Sequence, residues 1–91
     1  MTKADLREQA AQIFQEARTR YSQETTQAEA TWQFARACFD WAEFATNNMQ
    51  RAEIAGLGIA AGRQAAARDP KLAAGHYYLA MNLGQLAQTK N

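Results

Sequence analysis

Hydrophobic residues recur along this chain at every third or fourth position, a spacing that places them on one side of an α-helix. Four segments have this pattern, and polar residues separate them. The first helix is predicted over residues 3–20, starting at Thr2 with Asp5 three positions later. Thr26 and Glu29 have the same capping spacing, so a second helix is predicted to start there.

Two apolar stripes run along the second predicted helix. Trp32, Ala35 and Phe39 belong to one stripe, and Phe34 and Trp41 belong to the other. A helix that packs on one side needs only one stripe. We therefore expect this helix to be the central element of the fold, with neighbours on both sides.

Polar residues also mark the starts of the remaining two helices. Asn47 and Asn48 are predicted to end the second helix and to cap the third, which extends over residues 49–68. Asp69 and Pro70 are predicted as the N-cap and first residue of a fourth helix, which continues almost to the end of the chain. A tight corner between the third and fourth helices follows from this assignment.

Residue composition favours an all-α fold. Valine is absent and alanine is abundant, so strand-forming residues are scarce and strong helix formers are common. A chain of 91 residues has room for one hydrophobic core. We therefore expect four antiparallel helices in a single domain over residues 1–91, stacked as a piece of an α-solenoid.

Glycines interrupt the third predicted helix at Gly56, Gly58 and Gly62. Each costs about 1 kcal/mol relative to alanine in a helix interior, so we expect neighbouring helices to approach the backbone there. Glycine clusters also occur in dinucleotide-binding loops, but such a loop follows a strand, and none is predicted here. Helix packing is the favoured interpretation, and no cofactor is predicted.

The charge distribution narrows the classes of partner. Ten basic and nine acidic residues are spread along the chain without the basic patch of a nucleic-acid-binding protein, so no nucleic acid partner is predicted. No apolar run reaches the ~20 residues of a membrane span. The polar start of the chain differs from a signal peptide, which is compatible with a cytoplasmic location without fixing the compartment.

Reactive side chains are few. Cys38 and His76 are the only cysteine and histidine, too few for a zinc site within one chain. Both lie in apolar helical stripes, where packing is far commoner than a nucleophilic Cys–His pair. Arg36 and Asp40 have the spacing of a helix-surface ion pair, with a ligand-binding Asp40 as the alternative. Neither a metal nor an enzymatic activity is predicted.

The order of small and large residues resembles the tetratricopeptide repeat, in which antiparallel helices A and B stack into a superhelix. Ala10, Phe14 and Ala17 match the pattern of helix B, and Trp32 matches a position of helix A. The resemblance implies that six further residues make helix-packing contacts. They are Gly58, Gly62 and Ala65 in the third helix and Leu79, Ala80 and Leu83 in the fourth.

Residues 29–37, followed by long helices and Gly58, are similar to the divergent repeats of the regulator of microtubule dynamics family and its bacterial relatives. The resemblance implies the helix order B, A, B, A, so the fourth helix lacks its partner. We expect an open apolar face there, covered by further repeats of a longer protein or by another copy of this chain. A homo-oligomer formed through this face is expected.

The repeat resemblance also implies a groove between the second and fourth helices. A peptide or helix of a partner protein would bind there, and the chain would act as a non-enzymatic scaffold. Two alternatives remain open, a carrier of a small apolar ligand with a cavity between helices and a structural four-helix oligomer. The predicted groove residues are Gln33, Ala37, Asp40 and Trp41 from the second helix and Tyr77, Met81 and Gln85 from the fourth.

Overall fold

Four α-helices make up the fold in a computed structural model, which describes residues 1–90. They are α1 (Lys3–Gln23), α2 (Ala28–Ala42), α3 (Asn48–Arg68) and α4 (Ala73–Ala87). No strand occurs within residues 1–90. The predicted all-α fold is confirmed.

α2 is the central helix, as its two apolar stripes predicted. It packs against α1, α3 and α4, whereas α1 and α4 do not pack against each other. α3 and α4 also pack together, and the Tyr21 hydroxyl donates to Gln64 Oε1 at 2.6 Å to join α1 to α3. The helices therefore form an open arrangement rather than a closed ring, and one side of α1 and one side of α4 face solvent.

Side chains cap the starts of α1 and α3. The Asp5 N–H donates to Thr2 Oγ1 at 3.1 Å, and the Thr2 N–H donates back to Asp5 Oδ2 at 3.0 Å, which confirms the predicted capping box. The backbone hydrogen bond from Thr2 lowers the pKa of the Asp5 carboxyl. At α3, Asn47 Oδ1 accepts from the Gln50 N–H at 2.8 Å, so Asn47 is the N-cap and Asn48 is already helical.

The predicted start of α2 is wrong. α2 begins at Ala28, after Gln27 in the N-cap position, and no side-chain hydrogen bond caps it. Thr26 and Glu29 therefore do not form a capping box. Instead, the Gln27 N–H donates to the Glu24 carbonyl at 3.0 Å, so the connection after α1 makes a turn that extends past Thr26 before α2 begins.

The corner between α3 and α4 also differs from the prediction. Asp69 ends α3, and its N–H donates to the Ala65 carbonyl at 3.0 Å. The Asp69 carbonyl accepts from the Leu72 N–H at 3.0 Å, closing a turn that contains Pro70, and α4 starts at Ala73. The predicted capping role of Asp69 and Pro70 is wrong because the chain makes this turn before the next helix can begin.

The hydrophobic core centres on α2. Phe14 of α1 packs on Phe34, with ring centroids 5.6 Å apart, and α3 supplies Ile54 and Ala61 to the same cluster. Full burial of an aromatic or aliphatic side chain contributes roughly 1.5–3 kcal/mol. The core comprises Phe14, Phe34, Ala35, Cys38, Ala42, Ile54 and Ala61.

Two glycines bring α3 close to α4. A Cβ on Gly62 would lie 2.8 Å from the Leu79 Cα, and a Cβ on Gly58 would overlap the Asn82 carboxamide. Gly56 faces open space, so the expected close contact is wrong at that position. The α3–α4 contact therefore requires glycine at two of the three positions.

Candidate functional site: a groove between the first two helices

A groove with a volume of about 430 Å³ lies between α1 and α2. Its base contains two alanines, Ala17 and Ala37, whose small side chains leave the space open. Each helix supplies one wall. The lining residues are Ile13, Glu16, Ala17 and Arg20 from α1 and Gln33, Arg36, Ala37 and Asp40 from α2.

Apolar surface in the groove comes from Ile13 and the two alanines. Ile13 is 47% exposed, whereas Ala17 is half-buried and Ala37 is buried. A branched side chain beside two small ones makes a ridge next to a hollow, the relief into which side chains of another helix interdigitate. The groove can therefore bury apolar side chains of a partner.

Charged residues line the rim of the groove in compensating pairs. Arg20 Nε donates to Glu24 at 3.0 Å, and the same guanidinium donates to the amide oxygen of Gln33. Arg36 Nε lies 3.9 Å from Asp40 Oδ2. Such exposed pairs contribute at most about 1 kcal/mol each. Because the four charged lining residues are two acids and two bases, the rim favours no highly charged ligand.

The pKa of the Asp40 carboxyl is raised. Partial burial raises its pKa, the Arg36 guanidinium opposes this shift, and the Glu43 carboxylate adds to it. The charged form of Asp40 is therefore less favourable than that of an ordinary exposed aspartate. A hydrogen-bond donor brought by a partner would offset this cost.

Three of the predicted groove residues of α2 line the groove with α1. These are Gln33, Ala37 and Asp40. Trp41 packs against Phe14 instead, with centroids 6.4 Å apart, and the Arg7 guanidinium lies 5.3 Å from the Trp41 ring centroid.

α2 and α4 contact each other directly where the sequence pattern placed a groove. Asn82 Nδ2 donates to the Ala35 carbonyl at 2.9 Å, and Gln85 Nε2 donates to the Phe39 carbonyl at 3.3 Å. Gln85 is 1% exposed, so it faces α2 rather than solvent. Its predicted companions lie elsewhere on α4.

Those companions are Tyr77 and Met81. Tyr77 is 56% exposed and meets Tyr78 edge to face at 4.9 Å, whereas Met81 is half-buried. Tyr78 in turn stacks on Trp32, with an interplanar angle of 6° and centroids 5.9 Å apart. This aromatic stack closes the α2–α4 contact at the end nearest the start of both helices.

The residues predicted to make helix-packing contacts differ in burial between α3 and α4. In α4, Leu79 packs on Gly62, whereas Ala80 and Leu83 are exposed. The three α3 residues, Gly58, Gly62 and Ala65, are buried.

Sequence reasoning missed the α1 wall of the groove and the buried amides of α4. Ile13 and Ala17 form one apolar stripe with the core residue Phe14, and periodicity alone does not show which of them stays open to solvent. Asn82 and Gln85 are polar residues in a helix, which indicates exposure by default. The signal for Asn82 was Gly58, because the missing side chain leaves room for the Asn82 carboxamide.

The whole chain matches the model of a known protein family. A family model described as Regulator of microtubule dynamics protein 1-3 matches residues 1–91. The chain belongs to this family. No curated protein and no solved structure gives a match. The family resemblance inferred from the helix sequences is thereby confirmed.

In this member of the regulator of microtubule dynamics family, the two reactive side chains lie outside the groove. Burial raises the pKa of the Cys38 thiol to about 12, with Arg18 opposing the shift. His76 is exposed, and its ring is 2.8 Å from the Pro70 carbonyl.

Within residues 1–90, no three acidic, histidine or cysteine side chains are grouped to hold a metal ion. Over the same residues, no helix has the length and apolar character to cross a bilayer.

A second exposed surface lies on α4, on the side away from α2 and α3. Leu83 is 41% exposed there, and Tyr77 is 56% exposed. The helix contains no aspartate, glutamate, lysine or arginine, although surface helices usually carry charge on their outer side. We define the outer face of α4 as His76, Tyr77, Ala80, Leu83, Gly84 and Ala87.

Proposed function

We propose that this chain is a non-enzymatic protein-interaction module that binds a helix or peptide of a partner protein in the α1–α2 groove. The groove itself carries the proposal, because it combines an apolar base with a rim of balanced charge. These are the features with which proteins receive an amphipathic helix.

A partner helix would place one apolar row against the base of the groove. Side chains spaced three or four residues apart on the partner would contact Ile13, Ala17 and Ala37, and the small alanines would allow a close approach. Gln33 and Asp40 at the rim would offer hydrogen bonds to polar groups beside that row. Shape and apolar burial would then supply most of the affinity.

We also infer that the helices follow the order of a tetratricopeptide-like repeat. The α1–α2 and α3–α4 pairs support this, because Phe14 of α1 faces Phe34 while Gly62 of α3 faces Leu79. Phe14 and Gly62 are the positions that the repeat pattern equates. The open arrangement of the four helices also fits stacked hairpins better than a closed bundle.

Family membership supports a protein partner. The name of the family refers to the regulation of microtubule dynamics, and microtubules are polymers of protein. The state of Cys38 supports a non-enzymatic role, because a buried thiol with a pKa of about 12 is neutral near pH 7 and is a poor nucleophile. These observations favour recognition over catalysis.

Selection from a library of randomised helical peptides tests the groove. The full chain is immobilised, and affinities of enriched peptides are measured by fluorescence anisotropy against the wild type and Ile13→Glu. We expect the peptides to share one apolar row and to lose affinity by about tenfold or more with Ile13→Glu, which corresponds to at least ~1.4 kcal/mol.

Gln15→Glu is the matched control, because Gln15 is exposed on the same helix and does not line the groove. It should leave peptide affinity unchanged. Circular dichroism should show equal helix content in all three proteins. Peptides that bind both variants as tightly as the wild type, or a library without enrichment, would contradict the proposal.

A further inference from the structure

The structure contains an internal example of a helix seated in a groove. α2 lies against α3 and α4 together, and its carbonyls at Ala35 and Phe39 accept hydrogen bonds from two side chains of α4. α2 also packs against α3 residues Ile54 and Ala61 in the core. The seat of α2 is therefore built from one face of α3 and one face of α4.

α1 repeats the part of this seat that α3 supplies. When Phe14 is equated with Gly62, Leu6 corresponds to Ile54, and Ile13 corresponds to Ala61. Both α3 residues are buried, whereas Leu6 is 46% exposed and Ile13 lines the open groove. α1 therefore presents to solvent the residues that α3 uses to hold a helix.

The basic residue near the end of each helix extends this correspondence. Arg20 of α1 corresponds to Arg68 of α3. Arg68 Nη1 donates to Thr31 Oγ1 of the seated helix at 3.2 Å. Arg20 lines the groove and is held by Glu24 and Gln33. The α1 wall thus matches α3 at its apolar and its basic positions.

α2 repeats the part of the seat that α4 supplies. Phe34 contacts Phe14, and Leu79 contacts Gly62, so Phe34 and Leu79 occupy equivalent positions. In this register, three residues of α2 correspond to Tyr78, Asn82 and Gln85, the α4 residues that contact α2. They are Gln33, Ala37 and Asp40, which line the groove together with Arg36.

The same register identifies the helix that fits the groove. The face of α2 that contacts α3 and α4 includes Trp32, Ala35 and Cys38. The corresponding residues of α4 are Tyr77, Ala80 and Leu83, which belong to its outer face. The outer face of α4 is thus the counterpart of a face that is covered in α2, and its lack of charge agrees with a packing role.

We propose that the outer face of α4 binds in the α1–α2 groove of a second copy of this chain, which gives a head-to-tail assembly. The inference rests on the proposed function, since it names the helix that the groove receives. The two contact surfaces lie on different parts of each copy, so every added copy leaves one groove and one α4 free. An uncharged helix also leaves the Arg36–Asp40 pair at the rim undisturbed.

Two charge substitutions separate the two halves of this contact. Leu83→Glu alters the outer face of α4, and Ile13→Glu alters the groove; both side chains are similarly exposed, at 41% and 47%. In sedimentation equilibrium, the average mass of the wild type should rise steadily with concentration. Each variant should remain a monomer, and the Gln15→Glu control should assemble as the wild type does.

An equimolar mixture of the two variants is the decisive measurement. Leu83→Glu retains an intact groove, and Ile13→Glu retains an intact α4, so the mixture should reach twice the monomer mass and stop there. A wild type that is monomeric at millimolar concentration, a mixture that stays monomeric, or assembly that depends on Leu83 alone would overturn the proposal. Ala80→Glu, on the same face of α4, should behave like Leu83→Glu and replaces it if that variant lacks helix.

The peptide library distinguishes failure of this inference from failure of the proposed function. It is applied to Leu83→Glu, which keeps the groove intact but has an altered outer face of α4. Peptide binding by this variant, combined with a monomeric wild type, would overturn the second-copy assignment and leave the interaction groove intact. Absence of both peptide binding and assembly would overturn both proposals.

Discussion

The α1–α2 and α3–α4 pairs occupy equivalent places in the fold but fill their interfaces differently. At the α3–α4 contact, Gly58 and Gly62 let side chains and backbone of α4 lie directly on α3. At the α1–α2 contact, the rings of Phe14 and Phe34 separate the helices, and a groove remains above Ala37. Close packing thus closes one pair, whereas an aromatic spacer leaves the other with a surface for recognition.

The polar groups of the two pairs follow the same division. Asn82 in the closed pair is fully buried and donates to two helix carbonyls, at Ala35 and Tyr78. Gln33 and Asp40 in the open pair reach solvent at the rim. Buried amides fix the position of one helix against another, while polar groups at the rim can also contact a partner.

Replacing Phe14 should break the open pair most severely. Phe14→Ala removes the ring that packs on Phe34 and Trp41, and we expect the free energy of unfolding to fall by about 3–5 kcal/mol. Urea denaturation monitored by circular dichroism measures this change. Tyr77→Ala is the control, because Tyr77 is exposed and its loss should change stability by no more than about 0.5 kcal/mol. Equal effects of the two substitutions would contradict the assigned core.

A methyl group at Gly62 should break the closed pair. The added Cβ would lie 2.8 Å from the Leu79 Cα, so Gly62→Ala should reduce the free energy of unfolding by about 1–3 kcal/mol. Gly56→Ala, in the same helix, meets open space and should instead stabilise the fold by about 1 kcal/mol. Thermal unfolding of both variants measures the difference. Stabilisation by both would show that α3 and α4 are not in close contact.

The smallest expected effect is a pH dependence of stability that comes from Asp40, at the rim of the open pair. Burial raises the folded-state pKa of Asp40 above that of the unfolded chain, so folding binds a proton between the two values. The contribution of Asp40 to the free energy of unfolding should therefore rise as pH falls through its folded-state pKa, whereas the lowered pKa of Asp5 acts in the opposite direction in both proteins. Asp40→Asn should remove this contribution and slightly stabilise the fold at neutral pH. Unfolding at several pH values tests it, and a pH dependence identical in both proteins would contradict the assignment.

Local features of the fold could be predicted from the sequence. The Thr2–Asp5 capping box, the central α2 and the need for glycine at 58 and 62 each depend on residues whose spacing determines the outcome. The Asp69–Pro70 corner could not be predicted in the same way. The same two residues, Asp69 and Pro70, fit both a helix cap and a turn that precedes a helix. Only the position of the next helix determines which of the two structures forms.

The side of α2 that bears the groove also lay beyond the sequence. Gln33, Ala37 and Asp40 were identified as groove residues, and their helix positions do form a lining. Periodicity shows which residues share a side of a helix but not which neighbour covers that side. The hydrogen bond from Gln85 to the Phe39 carbonyl closes one side of α2. It depends on how α4 is oriented about its own axis, and no local sequence pattern determines that orientation.

The burial of Cys38 makes its thiol a probe of the motions of this protein. A sealed, protonated thiol at the middle of α2 reacts with an alkylating reagent only when the surrounding helices separate, so the rate of labelling reports how often they do. Labelling that slows as the chain concentration rises would show that neighbours in solution hold the helices shut.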